Sequence, residues 1–294
     1  MTFHEKLIER KVLLSDGAWG TELVKKGFGT GECPELLNVD HPDVLHEIAE
    51  SYVTAGSDII LTNTFGGNPY KLSKYGVEDR LGELNKAGVR ISKEAAAGKA
   101  LVFAAIGPTG EFLAPLGLTT MDEMTEAFSK QVRVFAEEGA DGIVIESMTD
   151  LGEIICALRA AKNHSDYPVV CSMTFDKGLK GYATIMGVKP EDAVRTLEDE
   201  GADVVGSNCG WGIGEIIDVA RIMRPVTGLP LWVKPNAGIP ELIDGMTIYR
   251  HTPEFMAKYI PDLIDIGVSV VGGCCGSTPD HIRKIREIVD AVVT

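Results

Sequence analysis

One short phrase recurs four times along the chain and constrains the fold more than any other feature. Each copy joins a polar helix end, a glycine and a short connection to a strand rich in Val and Ile. The copies are TAGSDIILTNTF at 54–65, EEGADGIVIESM at 137–148, EDEGADVVGSNC at 198–209 and IDIGVSVVGGCC at 264–275. A glycine after a helix supplies the left-handed residue that ends it. The apolar runs that follow are typical of parallel strands buried on both faces.

Four further strands are predicted in the gaps between these copies, at 12–18, 101–109, 168–175 and 230–238. Helical periodicity predicts helices at 42–55, 121–138, 150–163, 189–200 and 279–293. Strand–helix units with right-handed crossovers build a parallel sheet. Eight units in 294 residues predict an α/β fold, a single (β/α)8 TIM barrel that spans 1–294 as one domain. The alternative is an open doubly wound sheet, but the first strand leads into DGAWGTEL and not into a glycine-rich dinucleotide fingerprint.

The charge balance argues against polyanionic partners. The chain has 43 acidic and 28 basic residues, a formal charge of −15, and no basic stripe that would neutralise phosphates. We therefore expect no binding to nucleic acid or to an anionic membrane surface. The N-terminal residues have no signal-peptide pattern, and no uninterrupted apolar run approaches the roughly 18 residues of a membrane span. A cytoplasmic location is the expectation.

Polar residues and thiols cluster at the predicted strand ends, where a barrel carries its chemistry. The clearest group is formed by three of the six cysteines: Cys209 closes the sixth predicted strand, and Cys274–Cys275 close the eighth. Neighbouring residues on a strand point to opposite sides, so the chain must bend for both to reach one ion. The flanking glycines permit such a bend; they are Gly272, Gly273 and Gly276.

Three thiolates suit Zn²⁺ and leave its fourth coordination position for a substrate, which is the pattern of a catalytic zinc site. Coordination deprotonates a substrate thiol, whose free pKa is near 8.5, and so makes it a nucleophile. The alternatives for this cluster are structural thiols or redox chemistry, such as a disulfide between Cys274 and Cys275. Cys156 and Cys171 are predicted to be buried apolar residues, and Cys33 to be incidental in a loop.

Seven segments carry a family resemblance over essentially the whole chain. They are SDGAWGTEL (15–23), SDIILTNTFG (57–66), IGPTGE (106–111), DGIVIES (141–147), GSNCG (206–210), KPNAG (234–238) and GGCCGSTPDHI (272–282). With these motifs the chain resembles the homocysteine S-methyltransferase family, and within it the homocysteine-binding barrel of cobalamin-dependent methionine synthase.

The resemblance implies a zinc-dependent methyltransferase that converts homocysteine to methionine. Catalytic zinc would be bound by Cys209, Cys274 and Cys275, and zinc would bind the homocysteine thiol. The resemblance also implies that Asp16, Gly17 and Glu146 hold the amino-acid end of the substrate. The strand-end asparagines are further candidates for substrate contact or for loop capping; they are Asn63, Asn208 and Asn236.

The methyl donor implied by the LTNTFGG segment is methylcobalamin. The chain has no D-x-H-x-x-G motif and no length for a cobalamin domain, so a separate corrinoid protein is the expected partner. Betaine or S-methylmethionine are alternative donors, for which Trp19, Phe65 and Trp211 would form an aromatic cage.

Met186 stands where a small polar residue is usual, which favours another alternative: transfer between a different substrate and a corrinoid protein. A Mg²⁺-dependent lyase using Asp16 and Glu146, and a non-catalytic zinc protein, are the competing classes.

Overall fold

Eight parallel strands form the centre of the computed structural model, which describes residues 1–29, 31–243 and 246–293. Their order in the sheet is β1-β8-β7-β6-β5-β4-β3-β2, and a bridge between Ser15 and Ile59 joins the two end strands into a barrel. The predicted TIM barrel is therefore confirmed. The strands are β1 Leu13–Leu14, β2 Ile59–Leu61, β3 Leu101–Ile106, β4 Gly142–Met148, β5 Val169–Met173, β6 Val204–Cys209, β7 Leu231–Pro235 and β8 Val270–Val271.

Helices surround the barrel, and the five predicted ones lie within one residue of their predicted bounds: α4 Pro42–Thr54, α7 Met121–Glu138, α8 Leu151–His164, α9 Pro190–Asp199 and α13 Pro279–Val293. The others are α1 Phe3–Arg10, α2 Gly20–Lys25, α3 Leu37–Asp40, α5 Pro69–Ser73, α6 Leu81–Ala96, α10 Ile213–Met223, α11 Pro253–Ala257 and α12 Ile260–Ile266. Across the described residues, no helix has the length and apolar character needed to cross a membrane.

Several predicted strands were too long at their carboxyl ends. The first was predicted at 12–18, but β1 ends at Leu14, and the Asp16 side chain accepts the Leu61 N–H at 2.8 Å. A carboxylate thus supplies an acceptor to β2 just beyond the end of β1, and the loops that follow the strands carry the polar groups. Two small hairpins, on the loops after β5 and β7, were not predicted from sequence. They pair Asp176–Gly178 with Gly181–Ala183 and Glu241–Ile243 with Met246–Ile248.

The barrel interior is apolar at its amino-terminal end and polar at its carboxyl end. Phe3 of α1 is buried at the amino-terminal end, with its ring 5.6 Å from that of Phe103, which stacks on Trp232. Inward-facing residues recur every second position along a strand. Towards the carboxyl ends, this period places polar side chains in the interior: Glu146, Ser172, Asn208 and Lys234. The fold therefore provides a floor of charged and polar groups beneath the carboxyl mouth of the barrel.

An aspartate ties three of the four copies of the recurring phrase to a neighbouring strand. In three copies the residue before the strand accepts a backbone N–H across the sheet. The pairs are Asp58 with Leu14 (3.0 Å), Asp141 with Val102 (2.8 Å) and Asp203 with Val169 (2.7 Å). The repeat thus satisfies a backbone donor at the amino-terminal end of the barrel, which explains why an acidic residue precedes an apolar strand.

Asp58→Ala is expected to destabilise the fold by about 3 kcal/mol, because it leaves buried charges and a backbone donor without their acceptor. The Asp58 side chain is 4% exposed and lies 3.0 Å from Arg286 of α13 and 3.7 Å from Lys6 of α1. Chemical denaturation measures the change. The exposed Asp166 provides a control, since Asp166→Ala should stay within about 0.5 kcal/mol of the parent. A similar loss in both variants would contradict this account.

Candidate metal centre and substrate wall

The three cysteines singled out by sequence lie together at the carboxyl mouth of the barrel. The sulfur atoms of Cys209, Cys274 and Cys275 all lie within 4.8 Å of one another. Zinc–sulfur bonds of about 2.3 Å place the sulfurs of a tetrahedral site roughly 3.8 Å apart, so the cluster fits one such ion. The residues present therefore provide three soft ligands with the spacing that zinc requires.

Local backbone geometry accounts for this convergence. Cys209 ends β6 with φ +64°, a left-handed conformation that is unusual for a side chain other than glycine. Cys274 and Cys275 lie beyond the end of β8, in a turn that the Ser277 N–H closes by donating to the Cys274 carbonyl at 3.1 Å. The expected bend is present, and it is a turn with Gly276 in its third position at φ +80°.

Hydrogen bonds within the cluster set the charge of its sulfurs. The thiols of Cys274 and Cys275 interact with Cys209 and lower its pKa to about 3. The reciprocal effect raises the pKa of Cys274 to about 11, and the pKa of Cys275 is also raised. One thiolate is thus stabilised by two neutral thiols, and three thiolates at this spacing require a cation among them.

Gly276→Ala is expected to weaken zinc binding by more than about tenfold, the loss typical when the support of a metal ligand is removed. A Cβ at this position would lie 2.2 Å from Cγ of Tyr249, and φ +80° is strained for alanine. Zinc titration with a competing chelator measures the effect. Gly214→Ala in α10 is the matched control: its Cβ would meet no atom within 4 Å, so zinc affinity should be unchanged. Equal affinities in both variants would show that the turn does not position the ligands.

Asp16 lies beside the cluster and is fully buried. Its carboxylate accepts hydrogen bonds from four groups. The two shortest, both 2.8 Å, come from the Lys234 ammonium and the Leu61 backbone N–H. The Trp19 indole N–H donates at 2.9 Å and the Ser15 hydroxyl at 3.2 Å. Because its indole N–H is committed to Asp16, Trp19 is fixed at the floor. Among the described residues no ring contact joins it to Phe65 or Trp211, the other members of the suggested cage.

Glu146 is the second buried carboxylate of the substrate wall, the name used below for Asp16, Gly17 and Glu146, and its surroundings differ from those of Asp16. It is 9% exposed, and none of the described residues donates a hydrogen bond to it. Burial raises its pKa to about 7; the Lys234 charge opposes this shift, and Cys274 and Asp16 add to it. An ammonium group at this carboxylate would restore the ionised form.

The three candidate asparagines have different surroundings. Asn208 bonds to Ser147 and Ser172 and donates to the Cys274 sulfur at 3.8 Å, so it lies against the cluster. Asn236 donates to the Gly210 carbonyl at 2.7 Å and interacts with the Cys209 side chain, and its buried Oδ1 has no hydrogen-bond partner among the described residues. Asn63 instead donates to the Pro34 carbonyl and to Asn38, which places it in a buried network that supports the loop after β2. Gly17 packs on Tyr52, since a Cβ there would lie 2.7 Å from the ring.

Lys234 lies in the KPNAG segment but was assigned no role from sequence, and Ser147 and Tyr249 were not predicted as site residues. Lys234 had a usable signal, because a lysine two residues after Trp232 in an apolar strand must face the barrel interior. Tyr249 follows a hairpin that no pattern announced; burial, with Cys275 beside the hydroxyl, raises its pKa. The three remaining cysteines are buried: Cys33, Cys156 and Cys171. For Cys156 and Cys171 this agrees with the prediction of apolar packing.

Fold and site together define an α/β-barrel enzyme with a cysteine cluster at the mouth of the barrel. The family model described as homocysteine S-methyltransferase matches residues 13–289. The chain therefore belongs to the homocysteine S-methyltransferase family, and its enzyme class is S-methyltransferase.

Individual relatives agree with this assignment. The chain is 31% identical over 300 residues to methionine synthase of Mycobacterium leprae and 31% identical over 301 residues to that of Mycobacterium tuberculosis. The matches cover 96% of this chain but only 24% and 25% of those relatives, so the chain spans about a quarter of their length. The homocysteine methyltransferase MmuM from Escherichia coli, solved in a metallated form, has the same fold, with a TM-score of 0.81 at 22% identity over 96% of this chain and 98% of that one.

Proposed function

We propose that this chain transfers a methyl group to the thiol of homocysteine to give methionine, with a zinc ion held by Cys209, Cys274 and Cys275. The observation that carries the proposal is the convergence of three sulfurs within 4.8 Å beside a buried acidic wall, in a chain of this family.

When bound, zinc supplies a ligand position that favours the thiolate form of a substrate thiol. The residues of the chain do the positioning. Asn208 and Asn236 hold the sulfurs of the cluster through their side-chain amides. The wall formed by Asp16, Gly17 and Glu146 receives the amino-acid head of the substrate. In the transfer a carbon–sulfur bond forms, the bond from the donor to the methyl carbon breaks, and the proton of the thiol is released.

The donor that we propose is methylcobalamin carried by a separate corrinoid protein, in line with the sequence resemblance. It must approach from the carboxyl face of the barrel, because Phe3 closes the opposite end of the interior. Betaine and S-methylmethionine remain the alternative small donors. A cytoplasmic setting is also proposed, since reducing conditions keep a half-buried thiol cluster competent to bind metal.

Zinc analysis combined with X-ray absorption tests the central proposal. We expect about one zinc per chain with three sulfur ligands, and a fourth sulfur at about 2.3 Å when homocysteine is added. Turnover is then assayed with homocysteine and each of methylcobalamin, betaine and S-methylmethionine. A zinc shell that does not change during the homocysteine titration would overturn the substrate assignment. Turnover with only one of the small donors would overturn the corrinoid partner alone.

A further inference from the structure

Three charged side chains are buried together at the floor of the barrel mouth, and they are not equivalent. Asp16 follows β1, Glu146 lies within β4, and Lys234 lies within β7. The Lys234 and Asp16 side chains are 3% and 0% exposed, and their charged atoms are 2.8 Å apart. Asp16 and Lys234 both affect the pKa of Glu146, and Asp16 and Glu146 both affect the pKa of Lys234.

Asp16 has little remaining capacity to bind a ligand. A carboxylate has about four lone-pair sites, and Asp16 receives four donors from the protein. They are the Lys234 ammonium, the Trp19 indole N–H, the Leu61 backbone N–H and the Ser15 hydroxyl. A substrate ammonium at Asp16 would have to displace one of these buried donors and leave it unsatisfied.

Glu146, unlike Asp16, has its full hydrogen-bonding capacity available to a ligand. None of the described residues donates a hydrogen bond to its carboxylate, although the residue is only 9% exposed. Lys234 acts on it only through charge, since the hydrogen bond of the ammonium goes to Asp16. Buried carboxylates normally have partners, so a carboxylate without one at the mouth is suited to a cationic ligand.

We propose that Lys234 is a specificity-determining residue, because its ammonium group retains Asp16 within the protein framework and leaves Glu146 alone to bind the ammonium group of an amino-acid thiol. This inference rests on the proposed function and refines the expectation that both carboxylates hold the substrate. The charge count supports it: Lys234 neutralises Asp16, so the wall presents one negative charge, which one substrate ammonium neutralises. Without Lys234, the wall would present two negative charges, from Asp16 and Glu146.

The test compares the binding of two thiols to the zinc-loaded enzyme by isothermal titration calorimetry. L-homocysteine carries the ammonium group, and 4-mercaptobutanoate has the same thiol and carboxylate without it. The parent enzyme should prefer homocysteine by about 10–100-fold, the range of a charged hydrogen bond. Glu146→Gln should bring the ratio close to one.

The decisive variant is the neutral pair Asp16→Asn with Lys234→Gln, which keeps the net charge of the wall. Its preference for homocysteine should stay within about threefold of the parent, even where both affinities change. Lys234→Gln alone should raise the preference at pH 8–9 and lose that gain towards pH 6, because Asp16 then contributes an uncompensated negative charge while Glu146 loses the cation that opposes the rise in its pKa. Circular dichroism and zinc content verify that each variant is folded and loaded.

Two outcomes would overturn the inference by itself. One is a loss of preference in the neutral pair as large as in Glu146→Gln, which would show that Asp16 contacts the substrate. The other is an unchanged or lower preference in Lys234→Gln at pH 8–9, and this single variant decides the matter if the pair does not fold. If neither thiol binds to the zinc-loaded parent enzyme, the proposed function fails, and the inference fails with it.

Discussion

Cys209→Ser is expected to reduce zinc affinity by more than about 100-fold and to abolish methyl transfer with it. Loss of an outer partner of a metal ligand typically costs 10–100-fold, and loss of a ligand should cost more. A serine hydroxyl is a hard oxygen donor that is still protonated at neutral pH, whereas the Cys209 sulfur is the one whose pKa its neighbours lower most. The residue also has a strained φ of +64°, which directs its sulfur towards Cys274 and Cys275.

Zinc content after dialysis and a chelator competition measure this loss. Cys171→Ala provides the matched control, because Cys171 is fully buried in β5 and its sulfur lies outside the cluster. That variant should lose stability through a small cavity but keep about one zinc per chain. Full zinc content in Cys209→Ser would show that the metal does not depend on the convergence of the three sulfurs.

The barrel could be predicted from sequence because its signal is local and repeated. Each copy of the recurring phrase carries its own helix end and apolar strand, and eight such units close most economically on themselves. Strand ends were harder to predict. Asp16 lies just beyond the end of β1, where its carboxylate accepts the backbone N–H of Leu61. Tertiary contacts of this kind leave no trace in periodicity.

The candidate site also has a part that could be predicted from sequence and a part that could not. The meeting of Cys209 with Cys274 and Cys275 follows from barrel geometry, because the ends of parallel strands share one rim. The pairing of Asp16 with Lys234 could not be predicted in that manner, because it depends on which of several inward-facing side chains are long enough to meet. Lys234 lies 218 positions from Asp16 in sequence, and only the closed barrel brings the two together.

The affinity for homocysteine is expected to fall steeply as the pH drops below about 7, because Glu146 must be ionised to hold an ammonium group. Burial raises the pKa of Glu146 to about 7; Lys234 opposes this effect, while Cys274 and Asp16 reinforce it. Below this pKa each pH unit removes about tenfold of the ionised form, in addition to the pH dependence of the thiol itself.

The same shift has a consequence for stability. The folded state holds the proton of Glu146 more tightly than the unfolded chain, so the ionised carboxylate is a cost to folding. Stability from this group is therefore greatest below the unfolded pKa of 4.5 and is lost as the pH rises towards 7. The loss amounts to about 3 kcal/mol. A bound substrate ammonium should recover part of it, so homocysteine should stabilise the enzyme more at pH 8 than at pH 6.

Glu146→Gln isolates both effects. Its homocysteine affinity should be lower than that of the parent at pH 8, and its pH dependence should be shallower by about one power of ten per pH unit, since only the thiol proton remains. Proton release on binding, measured by calorimetry in buffers of different ionisation enthalpy, should likewise fall below that of the parent near pH 6. Glu153→Gln is the control: Glu153 is also buried with a raised pKa, but it accepts hydrogen bonds from Thr109. It should keep the pH profile of the parent, and identical profiles for all three proteins would show that Glu146 does not bind the substrate ammonium.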